Sequence, residues 1–357
     1  MKIVQLVFHL GPGGAEKFVT DLSNELASRG HEVLVLMLRD DSLPEFSFNL
    51  PFLHPDVRIR SLRLPTGFHP GQIRVVSKAL DEEKPDVVHG HLGVMPYVYL
   101  YSLRHREIRF IHTIHSVPSF DIRHPLFRRL AAFFYRKTVT PVAISRICAG
   151  LFRNCYGFEA QTIGNGRAIP ARSGEFARVS QELSEMRHPI FVHVARCAPE
   201  KNQSLLLEAF SQLEREKTDF TLLVIGDGFK EQPDLMAHAS ESIRFLGPKE
   251  NVCDYLRLAD AFCLSSRIEG SPISLIEAMA CGATPVCTPA GGIPDIVRHG
   301  ETGYLSDGYE VSDYVAAIRA FLQRPLPRET LIQYYNDAFT MTGCASEYLT
   351  LYNKPSR

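Results

Sequence analysis

Short apolar runs recur along this chain, each followed by a turn and most by an amphipathic stretch. In the first half, runs at 2–8, 31–38, 57–62, 86–91, 109–115 and 141–144 predict strands. Stretches at 15–28, 71–82, 94–103 and 126–137 carry apolar residues at helical spacing. The strand runs are rich in Val, Ile and Leu without strict alternation, which predicts parallel strands buried on both faces. From 164 to 186 the periodicity fades through IGNGRAIPARSGEF into a charged segment, the best place for a linker. Beyond it the alternation restarts, with strands expected at 191–196, 221–225, 243–246, 261–265 and 284–287. Helices are expected at 203–213, 252–258, 272–280 and 313–322. From about 332 the chain turns helical again, marked by Tyr334, Tyr335, Phe339, Tyr348 and Tyr352. Strand–helix alternation of this kind predicts two doubly wound sheets facing each other, with the loops at their strand C-terminal ends lining one cleft.

Size agrees with two domains, since 357 residues at 45% hydrophobic content exceed one ordinary core. Charge is balanced overall but not along the chain. Residues 1–170 carry 21 Lys/Arg against 15 Asp/Glu, a net of +6, and the remainder carries 18 against 25, a net of −7. The split suggests that the first half faces something anionic. Eight cysteines lie scattered without a CxxC pair or metal-ligand spacing, so free core thiols in a reducing compartment are expected. The opening MKIVQLVF is too short an apolar run for a signal peptide, and no run approaches the ~18 apolar residues of a membrane span. A cytoplasmic protein is the expectation.

The segment RIEGSPISLIEAMACG at 267–282 carries the most chemistry. Ser271 reads as a helix N-cap and Pro272 as the first helical residue. The amides of Ile273 and Ser274 are then unpaired donors at the positive end of a helix, which is an anion site. Glu269 precedes the cap, and Glu277 lies about six residues past it, roughly 9 Å along the axis. A phosphate at the helix start and a hydroxyl-rich group further along suit that layout. In RCAPEKN, Arg196 and Lys201 stand at a strand end and the following helix start. Two cations there neutralise a diphosphate, at about 4 kcal/mol per pair at ~4 Å before desolvation; a solvated basic pair is the plain alternative.

The turn HLGPGGAEKF places Gly11, Gly13 and Gly14 directly after the first strand, where backbone can approach a phosphate. A dinucleotide fingerprint needs a third glycine where Glu16 stands, so a glycine loop facing a ligand or a plain tight turn fits better. Histidines cluster at two strand ends: alternation puts His89 and His91 on one face, and His112 and His115 on opposite faces. No carboxylate or cysteine spacing supports a metal there, and none is expected. His115, at the C-terminal end of its strand, is the candidate for a functional role, with a core or capping histidine as the alternative. The segment at 123–137, RHPLFRRLAAFFYRK, mixes five Arg/Lys with rings and leucines. It suits an anionic membrane surface, or else is an ordinary helix with a basic solvated face. No nucleic-acid motif accompanies it.

Taken together these residues resemble glycosyltransferase family 4, retaining enzymes of the GT-B fold, of the bacterial polysaccharide-assembly type. The Glu-x7-Glu pair of EGSPISLIEAMACGATPVCTPAGGIPDIV resembles the family signature, and GPGGAE, DVVHGH, TIH, NG, ARCAPEKN, VIGDG, FLG and ADAFCLSSRIEG stand in the family's order. The resemblance covers nearly the whole chain and is strongest from 190 to 305. It implies a Rossmann-like acceptor domain at 1–170, a Rossmann-like donor domain at 171–335 and a C-terminal helix at 336–357 packing back on the first. It further implies a nucleotide-diphosphate sugar, UDP- or GDP-linked, transferred to a hydroxyl of a glycan or lipid-linked acceptor, with no cofactor and no metal. By resemblance Arg196 and Lys201 contact the diphosphate. The Ile273 and Ser274 amides hold the distal phosphate, Glu277 the ribose hydroxyls and Glu269 the donor sugar. Gly13 and Gly14 close on the phosphates, Gly226 and Leu246 belong to the donor site, and His115 resembles the family's cleft histidine near the reacting centre. A lipid-linked acceptor at the inner face of the cell membrane is the expectation that the basic first half motivates. The rival readings are a sugar-nucleotide epimerase of related fold and a non-catalytic partner subunit.

Overall fold

The computed structural model describes residues 1–115 and 125–354. Two compact units result: Met1–Ala168 together with Met341–Arg357, and Ile169–Thr340. In the first, strands β1 (Lys2–Val7), β2 (Glu32–Met37), β3 (Arg58–Ser61), β4 (Val87–His91), β5 (Arg109–Ile114), β6 (Val139–Ala143) and β7 (Gln161–Thr162) form one sheet. Its order is β3-β2-β1-β4-β5-β6-β7 and every pairing is parallel. The direction of winding reverses between β1 and β4, so the loops after these two strands flank the switch point where doubly wound sheets bind ligands. The helix Gly14–Ser28 leaves β1 through the glycine turn and buries Phe18, Val19, Leu22 and Leu26 at helical spacing.

The helix Met341–Tyr352 also belongs to this unit and buries Met341, Cys344, Ala345, Tyr348, Leu351 and Tyr352. A fully buried large side chain of this kind contributes about 1.5–3 kcal/mol. Arg29 fixes the helix by donating to the Thr342 carbonyl at 2.6 Å and to Ser346 Oγ at 2.9 Å. Met341 N donates to the Arg167 carbonyl at 3.2 Å, and Arg167 is buried against the Asp21 carboxylate.

The second unit holds β8 (Ile190–Val194), β9 (Thr221–Ile225), β10 (Ile243–Gly247), β11 (Ala261–Leu264), β12 (Thr284–Cys287) and β13 (Tyr304–Leu305). Their order is β10-β9-β8-β11-β12-β13, again all parallel. Two separate cores explain why the strands do not alternate polar and apolar. Phe191, Cys263 and Val286 point to the face packed by Phe210 and Tyr314. Val192, Phe262 and Leu264 point to the face packed by Leu275, Ile276 and Met279. The winding of this sheet reverses between β8 and β11.

Several local expectations are corrected. The linker expected at 164–186 contains a helix, Phe176–Ser184, whose Val179 and Leu183 are buried one turn apart. Residues 94–103 do not form one helix. Pro96, which lacks an N–H, sits in a 3-10 segment, Leu92–Tyr97, and a new helix starts at Tyr99. The helix after β11 starts at Ile273, one residue later than expected, with Pro272 in the extended conformation at the N-cap and no side-chain cap. Ser271 therefore stands one residue before the N-cap position. The strand Tyr304–Leu305 and the helix Arg146–Tyr156 stand where neither is expected, and the helix expected from about 332 starts earlier, at Arg328.

Candidate active site

In the second unit the loops at the β8/β11 switch bring Lys201 and Glu269 together, with Nζ to Oε1 at 2.7 Å. Glu269 is 8% exposed, so this pair is largely withdrawn from water, where a carboxylate and an ammonium attract strongly only if each is also hydrogen-bonded. Ser266 Oγ supplies that second bond, donating to the same Glu269 oxygen at 2.6 Å. Lys201 is placed from the backbone: its carbonyl accepts from Ser265 Oγ at 3.0 Å, and the Arg267 N–H donates to the Glu200 carbonyl at 2.8 Å. The loop after β8 is thus tied to the loop after β11. Glu269 is fixed in turn because Gly292 N donates to its carbonyl at 3.3 Å. A Cβ on the neighbouring Gly291, at φ +51°, would run into that same carbonyl.

Beneath the loops, the buried His193 joins the two strands, with Nδ1 bonding the Cys263 carbonyl at 2.9 Å. Burial pushes its imidazole down to about 4, with the Lys201 charge acting in the same direction and the carbonyl bond opposing. Gln203 donates to the Arg196 carbonyl at 2.9 Å. Arg196 itself turns outward and pairs with Glu200 at 2.7 Å, its side chain 74% exposed. Gly226 follows β9 directly, with φ +154°. The helix Ile273–Ala280 starts just beyond Glu269, and its first N–H groups have no acceptor one turn back. Glu277 is buried within it, 2% exposed.

In the first unit the switch point carries a polar stack. His91 Nε2 lies 2.7 Å from Gln5 Oε1, and His91 Nδ1 lies 3.0 Å from His115 Nε2. His89 bonds Tyr352 Oη and Thr113 Oγ1, each at 2.7 Å. Thr113 also bonds Tyr348 Oη at 2.8 Å. The alternation predicted for these strands therefore holds: His89, His91, Thr113 and His115 share one face. His112 turns to the other, where it bonds Tyr135 Oη at 2.7 Å and the Leu92 carbonyl at 2.6 Å. Burial, with repulsion among the histidines, holds His89 and His91 far below the ordinary histidine value. Burial first, then His112, lowers His115 as well, although its ring is only partly covered. Gly13 is the N-cap of the helix Gly14–Ser28, and Glu16 in its first turn lies 3.7 Å from His9 Nδ1. The glycine turn is braced from outside: Asn49 donates to the Gly11 carbonyl and His9 stacks on Phe46 at 4.9 Å.

The model of the family Glycosyl transferases group 1 matches residues 176–337, and that of Glycosyltransferase Family 4 matches residues 12–167. The chain belongs to glycosyltransferase family 4. It is 26% identical to N-acetyl-alpha-D-glucosaminyl L-malate synthase of Bacillus anthracis, over 95% of this chain and 93% of that one. It is 26% identical to the phosphatidyl-myo-inositol mannosyltransferase of Mycobacterium leprae, over 90% and 87% of the two chains. Among solved structures, Anabaena HepE in complex with UDP-glucose superposes with a TM-score of 0.79 at 19% identity, covering 98% of this chain and 100% of that one. The fold is GT-B.

This glycosyltransferase brings Lys201 and Glu269 into contact, and sets the Ile273 and Ser274 amides and Glu277 on the helix that follows. Leu246 lies half-buried near the end of β10. Among the described residues no cluster of His, Cys, Asp and Glu could hold a metal ion. Sequence reasoning missed Ser266, whose place two residues past β11 was the available signal, and Gln5, a lone polar residue inside the apolar run of β1.

Proposed function

We propose that the second unit of this glycosyltransferase binds the nucleotide-diphosphate sugar and that the first supplies His115 and the acceptor surface. Transfer then proceeds with retention and without a metal ion. The observation that carries the reading is the Lys201–Glu269 pair at the β8/β11 switch, directly before a helix with uncapped amides. Lys201 and the Ile273 and Ser274 amides meet the diphosphate, and Arg196 turns in to join them. Glu269 takes donor-sugar hydroxyls and Glu277 the ribose. Gly226 and Leu246 border the nucleotide, and the Gly13–Gly14 turn contacts phosphate. As the bond from the anomeric carbon to the phosphate oxygen breaks, negative charge grows on the diphosphate, where preorganised donors help most. The acceptor oxygen bonds the anomeric carbon from the same face, and its proton passes to the departing phosphate. HepE, solved with UDP-glucose, supports a nucleotide-sugar donor, and the M. leprae relative, named for phosphatidyl-myo-inositol, supports a lipid acceptor.

The test is a thermal-shift panel of UDP, GDP and ADP on the full chain, followed by turnover with UDP-glucose or GDP-mannose. A matching nucleotide at a hundred times its Kd stabilises by about 2.7 kcal/mol. Lys201→Ala is expected to lower kcat by about 10²–10³, and Glu277→Ala to weaken nucleotide binding. Stabilisation by none of the three, or normal turnover in Lys201→Ala, overturns the site. Donor consumed to free sugar products with no acceptor would mark an epimerase instead.

A further inference from the structure

We propose that Gln5 and His91 fix the tautomer of His115, so that His115 keeps its proton on Nε2 and offers the Nδ1 lone pair to a substrate hydroxyl. The inference rests on the reading that His115 meets substrate. Its geometry is a chain of two hydrogen bonds, from His115 Nε2 to His91 Nδ1 at 3.0 Å and from His91 Nε2 to Gln5 Oε1 at 2.7 Å. An amide oxygen only accepts, so His91 donates through Nε2. A neutral imidazole has one donor and one acceptor, so His91 Nδ1 is left to accept. Among the described residues the group bonded to it is His115 Nε2, which therefore carries the proton and donates. The proton on His115 is therefore placed by a glutamine two bonds away, in the middle of β1.

Neutrality of His91 is what makes the relay directional. A cationic His91 would donate from both nitrogens and force His115 to accept instead. Gln5 and His91 are fully buried, so a charge there would be costly. The rings also cannot turn freely. His91 lies 4.0 Å from His89 between ring centroids, and Phe18 stands edge-on to His115 at 5.2 Å. His89 is held by Tyr352 and Thr113, so the helix Met341–Tyr352 buttresses the relay from behind. Gln5 and His91 are positioning residues, because they act on substrate only through His115.

Long-range nitrogen–proton correlation on the full chain, labelled at histidine, reads the tautomer at pH 7. Comparison with His115→Gln and His91→Asn assigns the signals. His115 should show a protonated Nε2 and an unprotonated Nδ1; a proton on Nδ1 overturns the inference whatever the kinetics show. Turnover of UDP-glucose or GDP-mannose, whichever base binds, supplies the second readout. His91→Leu should lower kcat on the order of ten- to a hundredfold, as when a group orienting a functional histidine is lost, with donor KM within about twofold. His91→Asn, whose Oδ1 can take the place of Nδ1 as acceptor, should restore most of that loss, and failure to do so while folded counts against the relay. If instead His115→Gln turns over normally while the tautomer is as stated, the functional reading of His115 fails and the relay stands.

Discussion

Single atoms decide how the donor loops are held. Gly226 has φ +154°, a conformation that side chains rarely adopt, and a Cβ there would strike the Ala195 carbonyl. The contact matters because two bonds continue the β8–β9 pairing past the C-terminal ends of these strands, Ala195 N to the Ile225 carbonyl at 3.1 Å and Cys197 N to the Asp227 carbonyl at 2.7 Å. Those bonds carry the backbone of Arg196. Gly226→Ala is expected to destabilise by about 1–3 kcal/mol and to weaken nucleoside diphosphate binding. Gly150→Ala, at an unstrained helical position with open space, should be neutral or slightly stabilising in the same denaturant titration. Equal stability of Gly226→Ala and the unmodified chain would remove the argument. Lys201 and Glu269 were legible in the sequence because charges at strand ends and helix starts follow from local pattern. Their mutual approach was not, since it depends on two loops 68 residues apart being hydrogen-bonded together. Gln5 was hidden for the same reason: its partner His91 is 86 residues away.

Long elements were readable wherever both faces of a strand are buried, because continuous Val, Ile and Leu leave little alternative. Boundaries were not, as Pro272 shows by standing outside the helix it was expected to begin. The helix Pro125–Lys137 shows what the pattern could and could not reveal. Arg123 and the Leu126 side chain lie outside the described residues. On the rest, Phe134 and Tyr135 are buried in the core, while Phe127, Leu130 and Phe133 remain exposed. Arg128 is half-buried beside Cys155, whereas Arg129, Arg136 (its guanidinium 4.7 Å from the Phe158 ring) and Lys137 are exposed, as are the three apolar residues. Among the described residues no helix is long and apolar enough to cross a membrane. An amphipathic face of this kind suits contact with an anionic bilayer surface. The paired change Arg129→Glu and Phe133→Ser should abolish flotation with phosphatidylglycerol vesicles at low salt and leave turnover of a water-soluble acceptor intact. Undiminished flotation would return this helix to an ordinary solvated surface.

At the scale of the whole molecule the two units differ in how much neutral histidine they bury, and that difference sets their acid stability. His89, His91, His112 and His115 lie in the first unit, all lowered by burial, and His112 falls to about 4. The second unit has His193, also at about 4. An unfolded histidine takes up its proton near ~6.5. Below that value the unfolded chain binds more protons than the folded one, so stability is fully present above it. It is lost progressively as pH falls toward the folded values. At pH 5 each such histidine removes about 2 kcal/mol. Glu347, whose carboxyl is raised by burial in the Met341–Tyr352 helix, works in the opposite direction but as one group against several histidines. Calorimetry between pH 7.5 and 5 should therefore show the first unit's transition falling faster than the second's, the second being the one that a bound nucleoside diphosphate raises. His193→Asn should flatten the pH dependence of the second transition and leave the first unchanged. Transitions that fall in parallel, or do not fall at all, would mean that these imidazoles are not held neutral by the fold. The relay from Gln5 to His115 would then lose the neutrality it needs.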